Sequence, residues 1–385
     1  MLQRARVAYL FALSLLAFAL TTLAASGAST PIPAPPGINA SAYLVIEHHS
    51  GRVLAEKNSE AAVEPASITK LMTAYVAFDK LREGQISLDD NITVSEKAWR
   101  AEGSRMYIEV GKKVRFEDLL RGMIIQSGND ASIAIAEHIA GTESTFAALM
   151  NQYAAKLGMN DSQFANSNGL PAEGHKMSAR DIVTLTQRLI DDFPEHYSIY
   201  SERSFTFNEI KQYNRNSLLW RDDSVDGVKT GFTDAARYCL VSSAKRGDMR
   251  VISVVLGTPS EDARVASSQS LINYAFNFYE THRLYAAGDI IQTERVYKGD
   301  RDNVELTLAK DLYVTIPRGE YDSMSASMEL PATLVAPLLQ DAPLGQVIVT
   351  LDGDVLAQRE LLPLNDVPSG HFFRRAMDEV RLWFD

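Results

Sequence analysis

Pro65-Ala-Ser-Ile-Thr-Lys-Leu-Met-Thr-Ala-Tyr-Val-Ala-Phe-Asp-Lys-Leu81 is the stretch from which the rest of the chain can be ordered. Its apolar positions Ile68, Leu71, Met72, Tyr75, Val76 and Leu81 cover most of a helix circumference, so the spacing predicts a core helix starting near Ser67. Ser67 and Lys70 stand at i and i+3, a shared helix face, which sets an amine against a hydroxyl. At a helix start that hydroxyl also meets the positive end of the macrodipole. A serine becomes a nucleophile near neutral pH only with a base, and a lysine serves when desolvation or a neighbouring cation lowers its pKa. The motif alone is not specific, because Ser242-Ser-Ala-Lys245 repeats it in what reads as a strand.

Working outward, Ala42-Tyr-Leu-Val-Ile-Glu-His-His49, the turn Ser50-Gly51 and Arg52-Val-Leu-Ala-Glu56 read as a strand, a tight turn and a returning strand. Helical patterns follow at 116–126, 130–140, 144–157 and 178–191. Two strands, at about 226–245 and 249–257, join at Arg246-Gly-Asp248, and a long helix runs from about Glu261 to Tyr279. This order fits an α/β or α+β domain over residues 41–282, built on an antiparallel sheet. Beyond it, period-two runs at 289–297, 303–308, 311–317, 345–352 and 355–361 describe a small all-β domain over 283–366.

Composition narrows the chemistry. The 385 residues are 46% hydrophobic and 23% charged, enough for two cores. A net charge of −11 argues against a broad phosphate-neutralising surface, so nucleic acid is not an expected partner. The single cysteine, Cys239, excludes an internal disulfide, a zinc ribbon and CxxC chemistry, and it reads as a small buried apolar residue. Seven scattered histidines form no HxH or HxxxH pair, so neither a metal nor another cofactor is expected. His175, in Gly174-His-Lys176, reads as a solvated loop histidine, and Asp181 as a carboxylate at a helix start.

The two ends carry addresses. Residues 1–28, with Arg4 and Arg6, an apolar run from Val7 to Leu20 and small residues to Ala28, predict a secretory signal peptide. Loss of those two cations takes the net charge from −11 to −13. Residues 29–40 hold a proline-rich tether. Residues 367–385 predict an amphipathic helix with Phe372, Phe373, Ala376, Met377, Val380, Trp383 and Phe384 on one side, suited to a membrane interface.

Two further motifs complete the set. Ser127-Gly-Asn129 lies between two helices, where a hydroxyl and an amide two residues apart can point into one cleft. Lys229-Thr-Gly231 lies on a strand, where a lysine and a threonine hydroxyl suit a carboxylate. Its glycine suits close approach of a substrate backbone laid as an added strand. Taken alone, each has a plain reading as a capped turn or a basic edge residue.

Ser67-x-x-Lys70, Ser127-x-Asn129 and Lys229-Thr-Gly231, in this order and separated by 60 and 102 residues, resemble the signature of the penicillin-recognising serine acyl-transferases. Asn166-Ser-Asn-Gly-Leu-Pro171, Asn214-Arg-Asn216, Leu218-Leu-Trp220 and Val225-Asp-Gly-Val228 narrow the resemblance to the low-molecular-mass D-alanyl-D-alanine carboxypeptidases of the penicillin-binding protein 5 type, serine peptidase family S11.

The resemblance implies an α+β fold: a penicillin-binding, β-lactamase-like domain with helices on both faces of an antiparallel sheet, a small all-β domain and a terminal amphipathic helix. It implies Ser67 as the acylated nucleophile, Lys70 as its base and Ser127 as the proton relay. Asn129 would hold the peptide amide, and Lys229, Thr230 and Gly231, with Arg215 and Arg264, would bind the substrate's carboxylate end. The backbone N–H groups of Ser67 and Phe232 would form the oxyanion hole. Where the family often carries histidine after Lys-Thr-Gly, this chain carries Phe232.

The implied substrate is the peptidoglycan pentapeptide stem, and β-lactams are the implied covalent inhibitors. The implied place is the periplasmic face of the bacterial inner membrane, with a part in cell-wall maturation and cell shape. Alternatives are a D,D-endopeptidase, a weak β-lactamase and a non-catalytic peptidoglycan-binding relative. Ser-Gly-Asn in place of Ser-Asp-Asn, and the lack of Glu-x-x-Leu-Asn, count against the β-lactamase.

Overall fold

The computed structural model describes residues 32–383. The signal-peptide reading, the first residues of the tether, and Phe384 and Asp385 lie outside them. The central sheet has five antiparallel strands in the order Val53–Lys57, Ala42–Glu47, Met249–Thr258, Arg237–Arg246 and Val225–Thr233. The last of these is an edge strand, and it carries Lys229-Thr-Gly231.

Alternation along the strands divides the core in two. Leu44, Ile46, Ile252 and Val254 share one cluster with Leu71, Met72, Val76 and Phe78 of helix Lys70–Arg82. Val45, Val251 and Val255, equally buried, face the other way, where helix Glu261–Phe278 packs along the strands. Burying each such large side chain contributes about 1.5–3 kcal/mol, which fixes helix Lys70–Arg82 at the centre of the domain. Residues 70–79 of that helix are all buried, as the all-round apolar pattern predicts.

Three differences from the sequence reading are informative. The α-helix begins at Lys70 rather than Ser67, and Ser67 sits in a preceding 3-10 turn, Ala66–Thr69. The expected strand over 226–245 is two strands, because the chain reverses at 234–236 and Arg237 takes a φ of 56°. The β domain gains a strand, Met324–Glu329, that pairs with Gly345–Leu351 although its own side chains are mostly exposed.

The six-stranded sheet of the β domain runs Met324–Glu329, Gly345–Leu351, Asp354–Pro363, Asn303–Thr307, Gln292–Tyr297, Leu334–Val335. Tyr279–Tyr285 continues from the long helix and pairs with Leu312–Pro317, so one strand passes through the expected boundary at 282. The two domains meet where Arg52 Nη1 donates to the Thr315 carbonyl at 2.6 Å and His49 stacks on Tyr313.

Helix Phe372–Arg381 docks by its polar side. Asp378 accepts from the Lys298 backbone at 2.7 Å, Arg374 pairs with Asp302 at 2.5 Å, and Glu379 pairs with Lys298. Phe372, Phe373, Met377, Val380 and Trp383 face outward, 58–84% exposed. Among the described residues no helix is long and apolar enough to cross a membrane.

Candidate active site

The 3-10 turn holds Ser67 at the mouth of a cleft of about 340 Å³, whose walls include Ser127, Asn129, Arg215, Thr230 and Arg264. All three motifs therefore meet in one place. Lys70, one turn further on, is 1% exposed, and its Nζ makes three contacts: Ser67 Oγ at 3.0 Å, Asn129 Oδ1 at 2.7 Å and the Asn168 carbonyl at 2.5 Å. A neutral amine has two N–H donors and one lone pair. In that neutral form the Asn129 and Asn168 oxygens would accept the two N–H groups and the lone pair would be left facing Ser67 Oγ.

Burial favours this neutral form. Desolvation lowers the Lys70 pKa to about 7, against the opposing pull of Asp130 and Glu143. Asp130 is held away from direct pairing, because its carboxylate accepts from the backbone N–H groups of Met106 and Tyr107 at 2.9–3.1 Å.

Ser127 occupies the left-handed region at φ 68°, a conformation uncommon for a serine and held here by its neighbours. The next two residues are pinned: Gly128 N–H donates to the Gly122 carbonyl and Asn129 N–H to the Ser104 carbonyl. Asn129 Nδ2 donates to the Glu102 carbonyl at 2.6 Å, which aims its Oδ1 at Lys70.

Lys229 stands behind Ser127 rather than in the cleft wall. It is 2% exposed, and its Nζ donates to Ser127 Oγ at 2.8 Å and to the Thr230 carbonyl at 3.1 Å. Desolvation, then repulsion from Lys70, Arg264 and Arg215, lowers its pKa well below the ordinary lysine value. The cations that open on the cleft are Arg215 and Arg264, and Arg264 is paired with Glu261 at 2.6 Å. Glu261 gave no signal in the sequence, yet it also lines the cleft and trims its positive charge.

Gly231 has a different use from the one expected. A Cβ there would lie 3.0 Å from the Pro65 carbonyl and 3.2 Å from Ala66 Cβ and Ile68, so its missing side chain admits the turn that carries Ser67. Gly169 does the same, since a Cβ there would fall 1.9 Å from the Ala66 carbonyl. The strap Asn166–Leu170 thereby lies directly on the turn. Its Asn168 carbonyl, the third partner of Lys70, is a backbone atom and left no side-chain signature to read.

His175 is buried, correcting its reading as a solvated histidine. Its Nδ1 accepts from the Ala165 N–H at 3.0 Å, so the proton sits on Nε2, which donates to Thr69 Oγ1 at 2.7 Å. Desolvation, and below pH 7 the protonated form of nearby Lys70, hold its pKa down at about 4. Asp181 lies in the first turn of helix Ala179–Asp192, where it accepts from Ser162 Oγ and Asp161 N–H. Cys239 is fully buried, and desolvation pushes its thiol up to about 11. Phe232, 46% exposed, packs against Tyr238 at 4.4 Å on the cleft wall.

Among the described residues no cluster of His, Cys, Asp and Glu is disposed to hold a metal ion. Residues 29–260 match the family model for D-alanyl-D-alanine carboxypeptidase, and residues 279–369 match that for the penicillin-binding protein 5 C-terminal domain. The chain belongs to the D-alanyl-D-alanine carboxypeptidase family, peptidase S11. Within that family it is 41% identical to the D-alanyl-D-alanine carboxypeptidase DacA of Escherichia coli K12 over 363 residues, 92% of this chain and 90% of the relative.

The crystal structure of penicillin-binding protein 5 from Haemophilus influenzae is 40% identical. It superposes with a TM-score of 0.84, covering 88% of this chain and all of that one. Penicillin-binding protein D2 of Listeria monocytogenes, solved with ampicillin bound, is 30% identical with a TM-score of 0.58 over 63% of this chain and 100% of that one. The α+β architecture with its added β domain is thus the carboxypeptidase architecture the motifs implied.

Proposed function

We propose that this carboxypeptidase removes the terminal D-alanine from peptidoglycan pentapeptide stems by a serine mechanism, and that β-lactams acylate the same serine. The observation that carries this reading is the triple contact of Lys70 Nζ with Ser67 Oγ, Asn129 Oδ1 and the Asn168 carbonyl; in the neutral amine the two acceptors would take the N–H groups and leave the lone pair for Ser67. The Ser67 O–H proton passes to Lys70 while Oγ bonds to the carbonyl carbon of the D-Ala–D-Ala peptide. The backbone N–H groups of Ser67 and Phe232 receive the developing oxyanion, each such donor being worth about 3 kcal/mol in the transition state.

As the C–N bond breaks, the leaving nitrogen takes, through Ser127, the proton that Lys70 accepted, the Ser127 hydroxyl being oriented by Lys229. D-alanine departs. Water then attacks the ester, its proton going to Lys70 or Ser127 and on to Ser67 Oγ as the acyl C–O bond breaks, and the stem is released with a new carboxylate. Arg215, Arg264 and Thr230, which line the cleft, would receive the substrate's terminal carboxylate. A fluorescent penicillin should label the native chain at one site, Ser67, and a pentapeptide should yield free D-alanine. Absence of labelling removes the enzymatic reading, and labelling without D-alanine release favours the endopeptidase or the β-lactamase.

The outward apolar face of helix Phe372–Arg381 supports a membrane-surface role on the periplasmic side after export. Phe372, Phe373 and Trp383 replaced together by serine should move the protein from membrane to soluble fractions. Unchanged sedimentation would refute the anchor.

A further inference from the structure

We propose that Glu143, which touches neither the cleft nor a reacting atom, is the positioning residue that fixes the Asn168 carbonyl on Lys70 and sets the electrostatic balance of that base. The inference rests on the reading of Lys70 as the base for Ser67. Glu143 opens the helix Glu143–Lys156 and is 8% exposed. Its Oε1 accepts from Ser167 N–H at 3.1 Å and Ser167 Oγ at 2.8 Å, and lies 3.5 Å from Asn168 Nδ2. Its Oε2 pairs with Lys97 at 2.8 Å.

The strap is tied from both sides at this point. The Ser167 carbonyl accepts from Thr73 Oγ1 at 2.6 Å and Ser132 Oγ at 2.7 Å, both buried on the helices that carry Lys70 and Asn129. The next carbonyl along is the one that takes a proton of Lys70. Glu143 therefore anchors the outer side of a two-residue segment whose inner side shapes the base. A carboxylate that only filled space would not take both hydrogen bonds of one serine beside that carbonyl.

The charged and titratable groups around Lys70 are few. Asp130 and Glu143 supply negative charge, Lys229 supplies positive charge, and His175 faces it from the loop beyond the strap. Asp130 is occupied by backbone donors, so Glu143 and its partner Lys97 are the adjustable pair. Lys97 is 57% exposed, so its removal does not disturb the core.

The test is the second-order rate constant for acylation by a fluorescent penicillin, measured from pH 5 to 9 on the full-length protein, with KM for a pentapeptide alongside. Glu143→Ala should lower acylation by about tenfold, with KM within about twofold, as expected for a misplaced rather than a missing group. Glu143→Gln keeps an acceptor for Ser167 and should hold the rate within about threefold. Loss of the negative charge should move the midpoint of the acid limb down by a few tenths of a pH unit.

Lys97→Met leaves Glu143 less compensated and should move that midpoint up. Midpoints that stay put in both charge variants, or an E143A loss that appears in KM, overturn the proposal. If E143A does not fold, the opposed shifts of E143Q and K97M decide. Native-like acylation by Lys70→Ala would instead remove the underlying reading of the base, a result distinct from any fixed midpoint.

Discussion

Ser67-Ile-Thr-Lys70 and Ser242-Ser-Ala-Lys245 spell the same motif in one chain, and the structure treats them in opposite ways. In the turn and helix, residues three apart share a face, and Lys70 Nζ reaches Ser67 Oγ at 3.0 Å. In strand Arg237–Arg246, residues three apart point to opposite faces of the sheet. Ser242 is accordingly fully buried, with no hydrogen-bond partner among the described residues, and Lys245 is exposed. The two motifs spell the same amine and hydroxyl; backbone geometry brings one pair together and sets the other apart.

The sharpest way to break this contrast is to exchange the serines for alanine. Ser67→Ala should abolish both penicillin labelling and D-alanine release, whereas Ser242→Ala, which removes an unpartnered hydroxyl, should leave both unchanged and alter stability by no more than about 1 kcal/mol. Labelling that survives in S67A and disappears in S242A would reverse the assignment. A smaller effect should follow from Gly231→Ala. The added methyl presses on Pro65 and Ala66, so the turn must shift, and acylation should fall about tenfold while the edge strand stays folded. An unaltered rate in that variant would show that strand and turn do not need to pack so closely.

The fold was legible where side-chain periodicity carried it. Helix Lys70–Arg82 announced itself because it is apolar all round, and the three motifs converge because each contributes a side chain to one cleft. The reversal at 234–236 was hidden because Asp234-Ala-Ala236 contains no glycine, proline or asparagine, and its positive φ falls on Arg237. Met324–Glu329 was hidden because pairing with Gly345–Leu351, not burial of its own side chains, makes it a strand.

The site divides along the same line. Ser67, Lys70, Ser127 and Asn129 were readable as side chains with chemistry. The Asn168 carbonyl was not, since any residue supplies a carbonyl and only the strap's path brings this one to Lys70. Nor were Glu143 and His175, whose meaning depends on partners at Ser167 and Thr69, far away in the chain. Long-range backbone contacts complete a centre whose reactive atoms the sequence names.

The central claim is that Lys70 works as a neutral base held by two acceptors, and the pH dependence of acylation tests it most directly. Burial lowers the Lys70 pKa to about 7, and only the unprotonated amine can take the Ser67 proton, so the rate should rise with pH through a midpoint near that value. Lys70→Ala should lose both the rate and the limb. A native profile flat from pH 5.5 to 8.5, or an acid limb that persists in the Lys70 variant, would contradict it.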